Sequence, residues 1–311
     1  MSSRENIKVA IHCMVYNHEP YLRVCLNGFV MQKTNFKFVA IVHDDASTDN
    51  SAGIIREYTE KYPDIIKPIY ETENQYVKKN ITSIMNKAID ATEAKYVAMC
   101  EGDDYWIDPY KLQKQVDFLE AHPDYFECFT NSYVLENGEK KIAINHVWDT
   151  YSIEDIINTN ALNMRDRGDL IVPCAHTSTI LYRRPIEGLP EWISRCFIGD
   201  EPLFISLAQY GKAKFINVIT SVYRAGVGVS SNNFSETKDW KNRIAMYDII
   251  NEGLKYRYDS IITPIIAKLD FMLFRRLWKL GQKKEAIAYM IKSLKTDKTI
   301  TYNWITKKEK I

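Results

Sequence analysis

The 311-residue sequence has almost no net charge: 41 Lys and Arg stand against 40 Asp and Glu, leaving +1. No global field therefore calls for nucleic acid or another polyanion as partner, and local sites must carry the function. Paired cysteines are also missing. Cys13, Cys25, Cys100, Cys128, Cys174 and Cys196 are scattered with no CxxC among them, which reads as reduced core thiols of a cytosolic protein. No apolar run reaches transmembrane length, because the longest are strand-sized and the aliphatic C-terminal segments are interrupted by Lys, Arg and Asp. The opening MSSRENIKVAIHCMV arrives at Tyr16, Asn17, His18 and Glu19 too soon for a signal-peptide hydrophobic region. Internal repeats and low-complexity tracts are absent as well. The length allows one large domain or a domain with a substantial appendage, and the second is expected.

What is present is an alternation. In the N-terminal third, short β-branched apolar runs alternate with helical periodicity, the pattern of a parallel sheet with helices packed on it. Strands are predicted over 7–15, 36–43, 65–70 and 95–100, with helices over 19–32, 51–61 and 81–91. Asp49, Asn50 and Ser51 are candidate caps of the second helix. Further on the pattern is mixed, with strands over 126–135, 178–182 and 214–223 and a helix over 201–210. After Phe234 long amphipathic helices are predicted over 240–256 and 261–280, and in a last one Ala286, Ile287, Met290, Ile291 and Leu294 share a face. The expected division is an α/β domain over 1–233 and a helical region over 234–311.

In an open α/β sheet, ligands bind outside the carboxyl ends of the strands, where loops converge and helix N-termini point into the crevice. Three polar clusters fall at such ends: Tyr16-Asn17-His18-Glu19, Asp44-Asp45-Ala46-Ser47 and Glu101-Gly102-Asp103-Asp104. Carboxylates with oxygen-only surroundings suit a hard cation such as Mg2+ or Mn2+, which in turn can bind a nucleotide diphosphate. Glu101 and Asp103 point the same way along an extended segment, and Gly102 leaves room for a ligand close to the backbone. An isolated acidic loop is ordinarily just solvated; here the apolar run 96–100 aims it.

Asp44 and Asp45 follow a second apolar run and can accept hydrogen bonds from a uracil N3 or a ribose hydroxyl. An Asx-turn or helix cap from Asp45, Ser47 and Asp49 is compatible with that role. His18 and His43 have no second His at ligand spacing and are read as structural. Gly199-Asp200-Glu201-Pro202-Leu203 places two carboxylates at a helix start. They either complement the helix dipole or, held over a sugar pocket, deprotonate an acceptor hydroxyl, and the residues alone leave both open. His176, with Thr177-Ser178-Thr179, either lines the acceptor side or caps a strand entrance. Trp106 either stacks on a sugar face or anchors its loop by packing.

In order along the chain, four blocks resemble the family 2 glycosyltransferases with the GT-A nucleotide-diphosphosugar transferase fold. They are Val15-Tyr16-Asn17-His18-Glu19 with Tyr21-Leu22 and Cys25-Leu26, then Val42 to Asp49, Glu101 to Trp106, and Gly199 to Leu203. The resemblance spans roughly residues 5–231. It implies an α/β fold with a Rossmann-like, mostly parallel sheet flanked by helices, followed by a helical appendage. It further implies inverting transfer of a sugar from a nucleotide-sugar donor, a UDP-sugar being favoured, to a hydroxyl of a saccharide or lipid-linked saccharide acceptor. The setting implied is bacterial surface polysaccharide assembly, such as capsule or O-antigen, with Mn2+ or Mg2+ as cofactor.

Residue by residue, the resemblance places Asp45 or Asp44 at the nucleobase or ribose and Tyr16 and Glu19 around the nucleotide. Asp103 becomes the metal ligand, Glu101 a ribose or metal contact, and Asp104 a residue near the donor sugar. Asp200 matches the general base, and Tyr223-Arg224 a late element near the diphosphate. Two departures are visible. Glu101 stands where the family's DxD-like motif begins with Asp, and Ala225-Gly226-Val227-Gly228 follow Arg224 where related sequences often carry a His.

Other classes fit less well. A phosphorylation receiver domain has its acidic pair after the first strand and its acceptor Asp after the third, whereas the clusters here follow the second and fourth. A sugar-nucleotide nucleotidyltransferase carries a Gly-rich basic loop after the first strand, and residues 16–21 contain no Gly, Lys or Arg. A non-catalytic nucleotide-sugar-binding protein is the third alternative, which turnover would separate. The aromatic and basic segment 271–279 favours packing on its own domain or in a homodimer over contact with an anionic membrane surface. The expected location is accordingly the cytoplasm, with the inner face of the cell membrane as the peripheral option.

Overall fold

A computed structural model describes residues 6–76, 78, 81–143, 149–163, 176–227 and 236–298. Aliphatic and β-branched residues dominate Ile7–Val15 (β1), Lys37–Asp44 (β2), Ile66–Tyr70 (β3) and Tyr96–Met99 (β4). These four strands pair in parallel in the order β3-β2-β1-β4. Strands covered on both faces need near-continuous apolar runs, which is what β1, β2 and β4 carry. The crossovers are the helices Glu19–Val30 (α1), Ser51–Lys61 (α2) and Ile81–Asp90 (α3). On one face Val9, Ile11, Cys13 and Val15 of β1 join Leu22, Cys25, Leu26 and Phe29 of α1 in the main core.

The chain continues with Tyr105–Trp106 (β5), Lys111–Ala121 (α4), Tyr125–Glu136 (β6), Glu139–Ile142 (β7), Thr150–Tyr151 (β8), Ile153–Asn163 (α5), Ile180–Arg183 (β9), Asp200–Leu207 (α6) and Lys212–Arg224 (β10). They extend the sheet as β4-β9-β6-β10-β5. Here β9 runs antiparallel to both β4 and β6, while β10 runs parallel to β6. The sheet is thus wholly parallel in its first half and mixed in its second, with helices packed on it, as the GT-A fold implies.

Several helix ends differ from expectation: α1 stops at Val30, α6 runs from Asp200 only to Leu207, and the helix expected over 240–256 spans Glu236–Gly253. Helix α4 was not apparent in the sequence because its buried side is not purely apolar. Leu112, Val116 and Leu119 share that side with Lys111 and Gln115. The Lys111 ammonium donates to Gln115 Oε1 at 2.5 Å and lies 4.6 Å from the Trp106 ring, and burial pushes it down to about 8. Cys13, Cys25, Cys100 and Cys128 are free and buried, Cys196 is free and half-buried, and Cys174 lies outside the described residues.

A second compact unit joins residues 190–206 to the C-terminal helices Glu236–Gly253 (α7), Asp259–Lys279 (α8) and Lys283–Thr296 (α9). The segment 190–206 therefore groups with the helices, not with the sheet as the division at 233 has it. Side-chain bonds supply the reason. Glu201 accepts from Tyr247 Oη at 2.6 Å and Arg243 Nη1 at 3.1 Å, and Arg195 pairs with Glu252 at 2.9 Å. Within the aromatic and basic stretch of α8, Phe271, Leu273 and Leu277 are buried while Trp278 is half-exposed beneath Lys283. Among the described residues no helix is long and apolar enough to cross a membrane.

One group makes the fold acid-sensitive. His12 on β1 is half-buried, its Nδ1 is enclosed without a partner, and burial pushes it down from 6.5 to about 4. A depressed imidazole is neutral in both states above the unfolded value, so its stability contribution is complete there. It is lost as pH falls from about 6.5 towards 4, where the unfolded chain takes up the proton first. At about 1.4 kcal/mol per pH unit the loss is on the order of 3 kcal/mol. Denaturant unfolding of His12→Met between pH 7 and pH 4 should show a correspondingly shallower acid decline. An identical decline in both proteins would mean that His12 titrates normally.

Candidate active site

The loops leaving β1 and β2 are tied to each other by side chains. Asn17 N donates to Ser47 Oγ at 2.9 Å, and Asn17 Oδ1 accepts from Thr48 N at 2.7 Å. His18 N donates to Ser51 Oγ at 3.0 Å and Glu19 N to Asp49 Oδ2 at 2.9 Å. In return Asn50 N donates to Glu19 Oε2 at 3.0 Å, and within the second loop Ser51 N donates to Asp49 Oδ1 at 2.9 Å. The first N–H groups of α1 and α2, which no helical carbonyl can satisfy, are thereby capped reciprocally. Asn17 and Ala46 take left-handed backbone angles, φ 56° and 61°, to bring the loops together.

The third cluster docks on this pair. Gly102 N donates to Met14 O at 2.9 Å. A Cβ at Gly102 would lie 2.7 Å from His18 Nδ1 and 2.9 Å from Val15 Cγ2. The glycine is therefore required by His18 and Val15 packed against it, and the ligand space expected there is already filled. His18, read from sequence as structural, forms part of the site floor. Its Nδ1 is buried without a partner, and burial pushes it below the usual imidazole range against the opposing pull of Asp103 and Asp49.

The carboxylates differ in their commitments. Asp45 accepts from Gln75 N at 2.6 Å and Tyr76 N at 3.0 Å, holding the loop after β3. Asp44 is equally buried, yet its Oδ1 has no partner. Burial raises Asp44 above the usual carboxylate range, with Ser47 pulling the other way. Of the two, Asp44 keeps the open acceptor. Asp103 and Asp104 are 6% and 3% exposed, and Glu101 is half-buried. Burial pushes Asp104 well above the carboxylate range and Asp103 adds repulsion, while Asp104 Oδ1 accepts from Arg224 N at 2.9 Å.

This donor set suits a cation that brings its own oxygens. Among the described residues no three His, Cys, Asp or Glu side chains form a cage. Mg2+ and Mn2+ commonly take one or two carboxylates and complete their shell with water and phosphate. Asp103 with Glu101 matches that pattern, and crowded acidic charge beside Asp104 is what a cation would relieve.

Arg224, at the end of β10, lies at the same place. Its guanidinium carbon is 5.0 Å from the Tyr21 ring and 4.6 Å from the Tyr105 ring. Both tyrosines fall in blocks that carry the family resemblance, but neither is given a role there, since nothing local signals contact with a residue so distant in the chain. His176 stacks on Tyr223 with centroids 4.1 Å apart and bonds Ser132 Oγ at 2.8 Å, and burial pushes it down to about 4. Tyr16 is 39% exposed at the rim.

Trp106 requires a correction. It is 2% exposed, donates Nε1–H to Ser178 O at 2.8 Å and packs edge-on against Phe29 at 5.0 Å, so it offers no face to a sugar. Asp200 and Glu201 belong to the helical unit. Glu201 is buried in its bonds to Tyr247 and Arg243, which leaves Asp200 the half-exposed member of the pair.

The fold and sequence have known counterparts. The family model described as glycosyl transferase family 2 matches residues 11–188, more than half of the chain. An uncharacterised protein of Mycobacterium tuberculosis is 42% identical over 42% of this chain and 37% of its own length. The chain thus spans little more than a third of that relative. The Escherichia coli UDP-Glc:alpha-D-GlcNAc-diphosphoundecaprenol beta-1,3-glucosyltransferase WfaP is 29% identical over 73% of this chain and 82% of that one. Among solved structures, S. aureus TarS 1-349 in complex with UDP-GlcNAc superposes with TM-score 0.63 at 16% identity, covering 93% of this chain and 81% of that one. The mannosyltransferase PcManGT of Pyrobaculum calidifontis, in complex with GDP-Man and Mn2+, gives 0.55 at 14% identity over 99% and 82%. On the family match, and with the GT-A sheet and strand-end clusters already in place, the chain belongs to glycosyl transferase family 2.

Proposed function

We propose that the chain transfers a sugar, with inversion, from a nucleotide-sugar donor to a hydroxyl of a saccharide or lipid-linked saccharide, in bacterial surface polysaccharide assembly. The observation that carries this reading is the convergence of Asp44, Asp103, Asp104 and Arg224, from three separate chain segments, around the ends of β1, β2 and β4. A UDP-sugar is the first donor to test. Asp44 Oδ1, buried and open, suits the N–H of a nucleobase or a ribose hydroxyl.

Asp103 and Glu101 would hold Mn2+ or Mg2+, and that cation, when bound, offsets charge on the departing nucleoside diphosphate. Arg224 adds cationic charge beside the acidic loop. Asp200 accepts the proton of the attacking hydroxyl. The lipid-linked acceptor in the name of WfaP makes an undecaprenyl diphosphate-linked saccharide the first acceptor to try. We assign catalysis to 1–233 and docking, through a homodimer or the inner membrane face, to the helices of 234–311.

A screen of UDP-, GDP- and dTDP-sugars by thermal unfolding, with and without Mn2+, tests the reading. A UDP-sugar should raise Tm only when the metal is present, and addition of the acceptor should release UDP. No shift with any donor removes the donor site. Stabilisation without turnover favours the non-catalytic binding protein.

A further inference from the structure

Arginine is a long, flexible cation whose planar guanidinium carries its donors around the edge and leaves two faces bare. In this structure two aromatic rings lie against the Arg224 guanidinium. Tyr21, from the first turn of α1, lies 5.0 Å from the guanidinium carbon, and Tyr105, from β5, lies 4.6 Å from it. The Lys140 ammonium lies 5.8 Å from the Tyr105 ring. At its edge, Arg224 Nε is buried without a hydrogen-bond partner. The backbone is fixed too, because Arg224 N donates to Asp104 Oδ1 at 2.9 Å.

We infer that Tyr21 and Tyr105 are positioning residues that hold the Arg224 guanidinium in place against their rings, with its unpartnered Nε–H kept for the diphosphate of the donor. This deepens the proposed function and rests on it. The physical reason is twofold. Stacking on a partly desolvated aromatic face attracts the cation, and the rings remove rotamer freedom that the side chain would otherwise lose on meeting the ligand. A buried Nε–H without an acceptor is costly unless a ligand supplies one. A bidentate oxyanion such as a phosphate does so.

The tyrosine hydroxyls have no part in this role, so Tyr→Phe should be silent where Tyr→Leu is not. We would measure affinity for whichever of UDP, GDP and dTDP binds with Mn2+, and for its parent nucleoside, by calorimetry. Tyr21→Leu and Tyr105→Leu should each weaken nucleoside diphosphate binding by about 3- to 10-fold and leave nucleoside binding unchanged. Tyr21→Phe and Tyr105→Phe should match wild type. In an Arg224→Ala background, either leucine substitution should have almost no further effect.

Leucine effects that add fully to Arg224→Ala, or that weaken the nucleoside equally, would overturn the inference while leaving a nucleotide-binding transferase. A wild-type protein that binds none of the three diphosphates would overturn the reading beneath it.

Discussion

Asp103→Ala should reduce sugar transfer by on the order of 10²–10³, the scale seen when one preorganised charge-stabilising group is removed from an active site. It should also abolish the metal-dependent rise in Tm produced by UDP. The second readout matters because it reports the ligand and not the chemistry. Asp103 is buried at the end of β4, beside His18 and Asp104, and none of the hydrogen bonds that lace the β1 and β2 loops uses its carboxylate. Its truncation should therefore leave the unliganded Tm close to wild type. A variant that binds UDP and Mn2+ normally would move the metal assignment to Glu101 or Asp104. Glu101→Ala is the natural companion, and a smaller effect there would fit its greater exposure.

Asp200→Asn should separate binding from transfer. Removing a general base commonly costs about 10²–10⁴ in rate, while the amide keeps the size of the side chain and its capacity to accept from Glu201 N, a bond of 2.8 Å in the structure. Donor affinity, measured by calorimetry with UDP and Mn2+, should remain within about twofold of wild type, since the expected loss lies in the transition state. Glu201 provides the control. Its carboxylate is engaged by Tyr247 and Arg243, so Glu201→Gln should lower Tm and spare turnover in the molecules that stay folded. Near wild-type transfer by Asp200→Asn would remove it as the base.

The parallel half of the sheet was legible because each of its strands is an apolar run ending abruptly in polar residues, and burial on both faces demands that pattern. The same abruptness drew attention to Asp44, Asp45 and Glu101 to Asp104. Legibility failed where a residue's partner is remote in sequence or where its type serves two purposes. Helix α4 hides Lys111 and Gln115 on its inner side and so breaks its apolar stripe. Gly102 fits a ligand-facing loop as well as a crowded packing site, and only the proximity of His18 and Val15 decides. Trp106 has the right chemistry for a sugar platform and is spent on Phe29 and Ser178 O. Strands β5, β7 and β8, two to four residues long, are too short for any periodicity. The choice between Asp44 and Asp45 turns on two backbone N–H groups, those of Gln75 and Tyr76, whose approach no local pattern announces.

The reciprocal capping between the loops after β1 and β2 has a consequence for how such a site can be altered. Five bonds donated by backbone N–H groups, between residues 17–19 on one side and residues 47–51 on the other, make the two loops one mechanical part. A substitution in either loop is transmitted to both, so this side behaves as a cassette, exchanged whole or left alone. Arg224, by contrast, comes from a distant strand and meets the acidic loop through the bond from its N to Asp104 Oδ1 and through the ring of Tyr105, the next residue along that loop. A change of nucleobase should therefore require several residues of the cassette to move together.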